Sequence, residues 1–137
     1  MAIVSATELN EQAELAYVRG TYYVLLLESN GDYAANVEYA DILSDEVTIG
    51  TGGYARLSYT YTSADLLAYS NGQPLSQKVA NFVHDGSSED IVFTHVALVR
   101  EVSGDYTIVG IESVGEVAIL NNGKTATINI DILHGRS

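Results

Sequence analysis

Two runs of the chain are apolar at nearly every position rather than every second or every fourth. Between Thr21 and Glu28 the residues Tyr22, Tyr23, Val24, Leu25, Leu26 and Leu27 follow without a break. From Ile91 to Val99 only Thr94 and His95 interrupt Ile91, Val92, Phe93, Val96, Ala97, Leu98 and Val99. A strand with water on one face alternates; one that is apolar throughout is covered on both faces. The two runs are therefore expected as central strands, with the N-terminal helix covering one outer face and a neighbouring subunit the other.

The remaining chain reads in shorter units. Ser5-Ala6-Thr7-Glu8 has the form of a capping box, and Leu9, Ala13, Ala16 and Tyr17 recur at helical spacing ahead of Gly20, predicting a helix over about residues 6–19. Thr51 to Thr62 opens on Gly52-Gly53 and then alternates, with Ala55, Leu57, Tyr59 and Tyr61 on one side and Arg56, Ser58, Thr60 and Thr62 on the other. That is a glycine-released turn feeding a half-buried strand. Residues 37–47 fit one or two helical turns with Tyr39, Leu43 and Val47 on one face, and residues 63–76, around the chain's single proline, read as a loop. Val79–Val83 and Tyr106–Ile111 read as further strands separated by the polar loop Asp85–Asp90.

Asn122-Gly123 is a strong hairpin signal, because both residues tolerate the positive φ that a type I′ turn requires. With those two as the loop, Ile119 faces Ala126 and Val117 faces Ile128, apolar against apolar, and Ile130 and Ile132 continue the inward row. About seven or eight strands at this spacing predict a mainly β chain, an antiparallel β-sandwich or jelly roll with a short N-terminal helix. A length of 137 residues fits one domain over 1–137 with a self-sufficient core.

Charge and composition narrow the function. Six basic residues face eighteen acidic ones, a net charge of −12, which argues against nucleic acid and anionic membranes as partners. No apolar run reaches the roughly eighteen residues of a membrane span, and Met1–Ser5 lacks the basic and apolar regions of a secretory signal. The expectation is a protein made in the cytoplasm that leaves the cell, if at all, by lysis. Zero cysteines exclude a disulfide framework, a zinc–thiolate centre and a thiol nucleophile.

The candidate chemistry is sparse. His84, His95 and His134 are isolated and without metal-ligand spacing; His95, inside an apolar strand, reads as a satisfied histidine. Asp85–Asp90 and Asn30-Gly31-Asp32 offer oxygens to calcium but lack EF-hand spacing, and a solvated loop is the plainer reading. No G-x-S-x-G elbow occurs, and Gly52-Gly53 precedes a strand rather than the helix of a phosphate loop. The expectation is a non-enzyme without cofactor or metal. Ten tyrosines suit interfaces or sugar-binding surfaces as well as half-buried strands. Tyr22, Tyr23, Tyr54, Tyr59, Tyr61, Phe93 and His95 are the interface candidates, together with Arg56, suited to an intersubunit ion pair or to plain solvation.

In order, a short N-terminal helix, the strand Tyr23-Val24-Leu25-Leu26, Glu46-Val47 followed by Gly52-Gly53-Tyr54-Ala55-Arg56, the strand Thr94 to Leu98, and a glycine turn into a Thr/Ile-rich strand over Asn122–Leu133 resemble the small tail-fibre-like or tail-associated structural proteins of tailed bacteriophage virions. Asp32–Val47 departs from that pattern, being acidic and tyrosine-rich, and residues 63–76 match no part of it. The resemblance implies a virion building block without catalytic residues, assembled in the host cytoplasm. It would decorate or cement the capsid or build the tail or fibre, as a homo-oligomer (by analogy a trimer) that also touches major capsid or tail proteins. The alternative is a carbohydrate-binding β-sandwich that reads a receptor.

Overall fold

A computed structural model describes residues 20–60 and 75–132. The expected helix over 6–19, Tyr61, nearly all of the 63–76 loop and His134 lie outside them. The fold is mainly β: two antiparallel sheets form a β-sandwich. The first sheet contains β1 (Thr21–Leu27), β2 (Leu57–Tyr59), β4 (Ile91–Val102) and β5 (Asp105–Leu120), in the order β2-β1-β4-β5. The second pairs β3 (Leu75–Val83) with β6 (Thr125–Ile132).

β1 is central, as its sequence requires. It pairs β4 along its whole length, from Thr21 opposite Glu101 to Leu27 opposite His95. Its other edge takes β2 over Tyr22–Val24 and, further along, the segment Asp45–Val47, through Val47 N–H to Leu26 C=O at 3.0 Å and Glu28 N–H to Asp45 C=O at 2.8 Å. Tyr22, Val24 and Leu26 face the second sheet and join Ala80, Phe82, Ile91, Phe93, Leu120 and Ile130 in an inner core. Leu25 and Leu27 face the opposite way and join Ile42, Ala97 and Val99 in an outer core. Tyr22 and Leu25 to Leu27 are fully buried by this chain itself. The prediction of two covered faces holds for β1, whereas along Ile91–Val99 buried residues alternate with half-buried ones. The cover on one face of β1 is the second sheet and on the other the segment 33–47, so burial of β1 makes no demand on a neighbouring subunit.

Segment 33–47 contains the helical turns read from the sequence: α1 (Tyr39–Ile42), running into a 3-10 turn at Leu43–Asp45. The Asp41 carboxylate accepts the Glu38 N–H at 3.0 Å and caps it. Its buried contact is Ile42, and Leu43 is exposed. The expected Tyr39–Leu43–Val47 face is thus corrected by one position, because the switch to a 3-10 turn rotates Leu43 outward.

The Asn122-Gly123 turn forms as expected, both residues at positive φ and Lys124 N–H bonded to Asn121 C=O at 2.9 Å. The strands it joins do not pair. Ile119 lies opposite Val92 of β4, whereas Ala126 and Ile128 lie opposite Phe82 and Ala80 of β3. The turn is a corner between the sheets. Ala126, Ile128 and Ile130 do face the inner core, but on β5 the inward residues are Ala118 and Leu120, leaving Val117 and Ile119 exposed. That shift follows a large bulge, where Thr94 alone separates Phe93, opposite Ala118, from His95, opposite Ser113.

Gly50, Gly52 and Gly53 all take positive φ ahead of β2, as the glycine-released turn required. At Gly52 the reason is also steric. A Cβ there would lie 2.8 Å from both His84 Cδ2 and Ile91 Cγ1.

A candidate pocket beside His95

Four of the eight interface candidates are inside the protein. Tyr22, Tyr54, Phe93 and His95 are all buried by this chain, which corrects their assignment to a contact surface: the three aromatic rings pack in the inner core, and His95 is a buried polar residue. Tyr23 and Tyr59 are half-buried. Tyr23 leans on Tyr106 with ring centroids 6.2 Å apart, and Tyr59 donates its hydroxyl to Val79 C=O at 3.2 Å.

Arg56 is an intrachain residue. Its Nε and Nη2 donate to the two oxygens of Glu46 at 2.9 and 2.7 Å, and Nη1 donates to the Tyr39 hydroxyl at 2.8 Å. The guanidinium also lies over the Tyr39 ring, which stacks on Tyr106 at 4.5 Å. Glu46 accepts a third bond, 2.7 Å from the Tyr54 hydroxyl, which in turn accepts the buried Leu26 N–H at 3.1 Å. The two-pronged Arg56–Glu46 pair satisfies a carboxylate whose side chain is only 8% exposed. The Glu46 bond, the largest cause, raises the Arg56 pKa further, so the guanidinium stays charged. Burial, reinforced by the Glu46 bond, raises the Tyr54 pKa, so its hydroxyl remains a donor. This network closes the space between β1, α1 and the start of β2; it is an element of the fold.

His84 is likewise structural. Its ring lies 2.7 Å from Glu89 C=O through Nε2, and its Nδ1 accepts the Gly86 and Gly123 N–H groups at 2.9 and 3.3 Å. That pattern assigns the neutral Nε2–H tautomer and ties the 85–90 loop to the Asn122-Gly123 corner.

His95 differs because its bonds lead to the surface. Ser29 N–H donates to Thr94 Oγ1 at 2.8 Å, Thr94 Oγ1 lies 2.8 Å from His95 Nδ1, and His95 Nε2 lies 3.1 Å from Asp32 Oδ1. With Asp32 ionised, Nε2–H donates to the carboxylate and Nδ1 accepts the threonine proton. The imidazole is 6% exposed and the Asp32 side chain 87%. The Tyr33 ring meets the imidazole edge-on at 5.2 Å, and its hydroxyl donates to Asp45 Oδ2 at 2.7 Å. Burial first, and this bond second, push the Tyr33 pKa up to about 12.

These groups border a half-open pocket of about 350 Å³ between the 32–37 loop and the middle of β5, lined by Asp32, Tyr33, Val37, His95, Ile108 and Ile111 among others. The sequence marked His95 as a satisfied core histidine, which it is, but gave no sign of the pocket. Asp32 was visible only as an acidic loop residue sixty-three positions away. Among the described residues no group of three or more His, Cys, Asp or Glu side chains is placed to hold a metal ion. No family model, curated protein or solved structure matches the chain.

Proposed function

We propose that the chain is a structural component of a tailed bacteriophage particle, a rigid β-sandwich that works by contacts with copies of itself and with other virion proteins. The observation that carries the assembly half of this reading is β5. Among the described residues it has a strand partner, β4, on one edge only, and it is exposed along almost its whole length. Val109, Val114, Val117 and Ile119 present apolar side chains to water, the last two 60% and 57% exposed. A long edge strand with exposed valine and isoleucine is a template for pairing with another chain. The virion half rests on the ordered likeness running from Tyr23 to the Asn122-Gly123 turn.

The contact surface is therefore β5, in place of the buried tyrosines. The expected oligomer is a trimer, whose mass light scattering would read as three chains at micromolar concentration. Replacing Val117 and Ile119 by lysine dissociates it while leaving the fold intact, since neither side chain is packed. A wild-type chain that stays monomeric at every accessible concentration rejects self-assembly. Imaging purified particles by electron microscopy tests the virion assignment and separates capsid from tail.

A further inference from the structure

We infer that the pocket beside His95 is a binding site for an organic monocation with an apolar stem, a guanidinium or ammonium group carried on a short hydrocarbon chain. The juxtaposition is a carboxylate oriented by His95 at the mouth of a cavity whose wall includes aliphatic side chains. Asp32 projects into solvent, yet its Oδ1 is held by His95, whose other nitrogen is held by Thr94, whose hydroxyl is held by the Ser29 backbone. An exposed carboxylate paired this way adds little to stability. What the chain of bonds does is set the direction of the carboxylate and leave its second oxygen free among the described residues.

Val37, Ile108 and Ile111 line the cavity with Asp32, beside Ser113 and Gly110. No Lys or Arg is among the described residues lining the cavity, its one imidazole, His95, is bonded to Asp32, and the whole chain carries −12; an anion is repelled from such a mouth. An inorganic cation wants several oxygens, and Asp32 is the one carboxylate among the described residues lining the cavity, with no cluster of three or more acidic or histidine side chains among them. A planar guanidinium can bond the carboxylate while its methylene stem covers the isoleucines. A volume of about 350 Å³ is at the small end of ligand pockets, which fits one side chain or one small amine.

The test is a titration of the full-length, isotope-labelled chain followed by nuclear magnetic resonance, reading the Ile108 and Ile111 methyls and the His95 ring. The probes are n-butylguanidinium, N-acetyl-arginine-methylamide, n-butanol, n-butyrate and methyl glucoside. The expected result is saturable shifts with n-butylguanidinium, with a dissociation constant on the order of a millimolar for so small a probe. Asp32→Asn weakens it by about tenfold, whereas Asp90→Asn, which changes net charge equally, does not. Asp32 is exposed, so the variant keeps its fold, and its unperturbed methyl spectrum in the absence of probe confirms that. Capped arginine binding as tightly as the free cation identifies a partner's side chain as the source; preference for the free cation identifies a small molecule. The proposal is overturned by an absence of saturable shifts, by butanol or butyrate binding equally well, by Asp32→Asn and Asp90→Asn behaving alike, or by methyl glucoside binding in preference to the cations.

Discussion

The two faces of the four-stranded sheet are covered in different ways. The inner face meets another sheet, and its contacts are Tyr22, Val24, Leu26, Ile91 and Phe93 against Ala80, Phe82 and Ile130. The outer face meets one short helical segment, and hydrocarbon alone does not hold that segment down. Arg56, Glu46, Tyr39 and Tyr54 fasten one part of it, Tyr33 and Asp45 another, and Asp32 is tied to His95. A sheet laid on a sheet buries area continuously. A segment of some fifteen residues cannot, so polar bonds and aromatic stacking supply its position, and where it ends it leaves the pocket and the bare outer side of β5. The inner face accounts for stability; the outer face holds the features available for recognition.

The sharpest way to break that contrast is a pair of truncations on adjacent residues. Leu25 and Leu26 are equally buried and point to opposite faces. Leu→Ala in a core costs about 2–5 kcal/mol, least where the surroundings can collapse into the space. Leu26→Ala is expected near the top of that range, locked between two sheets, and Leu25→Ala near the bottom, because segment 33–47 can settle inward. Denaturant unfolding of the two variants measures both. Equal losses would mean that the outer cover is as rigid as the second sheet.

The fastening of the outer segment is next in size. Arg56→Met leaves Glu46 buried without its cation and is expected to cost about 2–4 kcal/mol, typical of breaking a pair whose carboxylate is shielded. Adding Glu46→Leu to the same chain should recover most of that loss. Failure of the double variant to recover would show that the Tyr54 and Tyr39 hydroxyls, not the ion pair, hold the segment.

The same contrast explains what could be read from the sequence. Burial on both faces was legible in the unbroken apolar run of β1, since it follows from composition along a single strand. The identity of each cover was not, because it depends on which distant segments arrive. The Asn122-Gly123 turn was legible to the residue, while the pairing inferred from it was wrong: turn chemistry is local, and β5 finds a longer partner in β4 than in β6. The same bulge beside Thr94 that lets β5 follow β4 moves Ala118 and Leu120 inward in place of Val117 and Ile119, and no alternation within β5 announces it. Arg56 reads equally as half of an intersubunit ion pair or as a solvated charge, and it is neither: its partner Glu46, ten positions earlier in the same chain, is brought to it only by the fold. The pocket is the least legible feature, assembled from a loop, the end of one strand's bulge and the middle of another.

A smaller effect isolates one hydroxyl of the fastening. Tyr54→Phe preserves the ring that packs on Phe82 at 5.9 Å but removes the acceptor of the Leu26 N–H and a donor to Glu46. An orphaned buried amide costs about 1–3 kcal/mol, and thermal unfolding should register it. The Leu26 amide should also exchange faster with solvent in the variant, a local readout that a general loss of packing would not confine to that position.

The smallest expected effect is a dependence on alkaline pH that belongs to the outer face. Tyr33 has its pKa raised from 10.0 to about 12, by burial and by the bond it donates to Asp45. A group whose pKa is higher folded than unfolded holds its proton more tightly in the native state, so its contribution is complete below pH 10. It is then lost as pH rises towards 12. Tyr54 and Tyr59 are shifted in the same direction, chiefly by burial, so the whole chain should weaken in alkali. Tyr33→Phe should flatten the first part of that decline, by under about 1 kcal/mol because solvent screens so open a ring. At neutral pH it should cost about 0.5–1 kcal/mol, the net worth of the lost bond to Asp45. Stability measured by denaturant from pH 8 to pH 12 in both proteins makes the comparison. Identical slopes would mean that the 32–37 loop is already loose at neutral pH, and with it the wall of the pocket that Tyr33 supports.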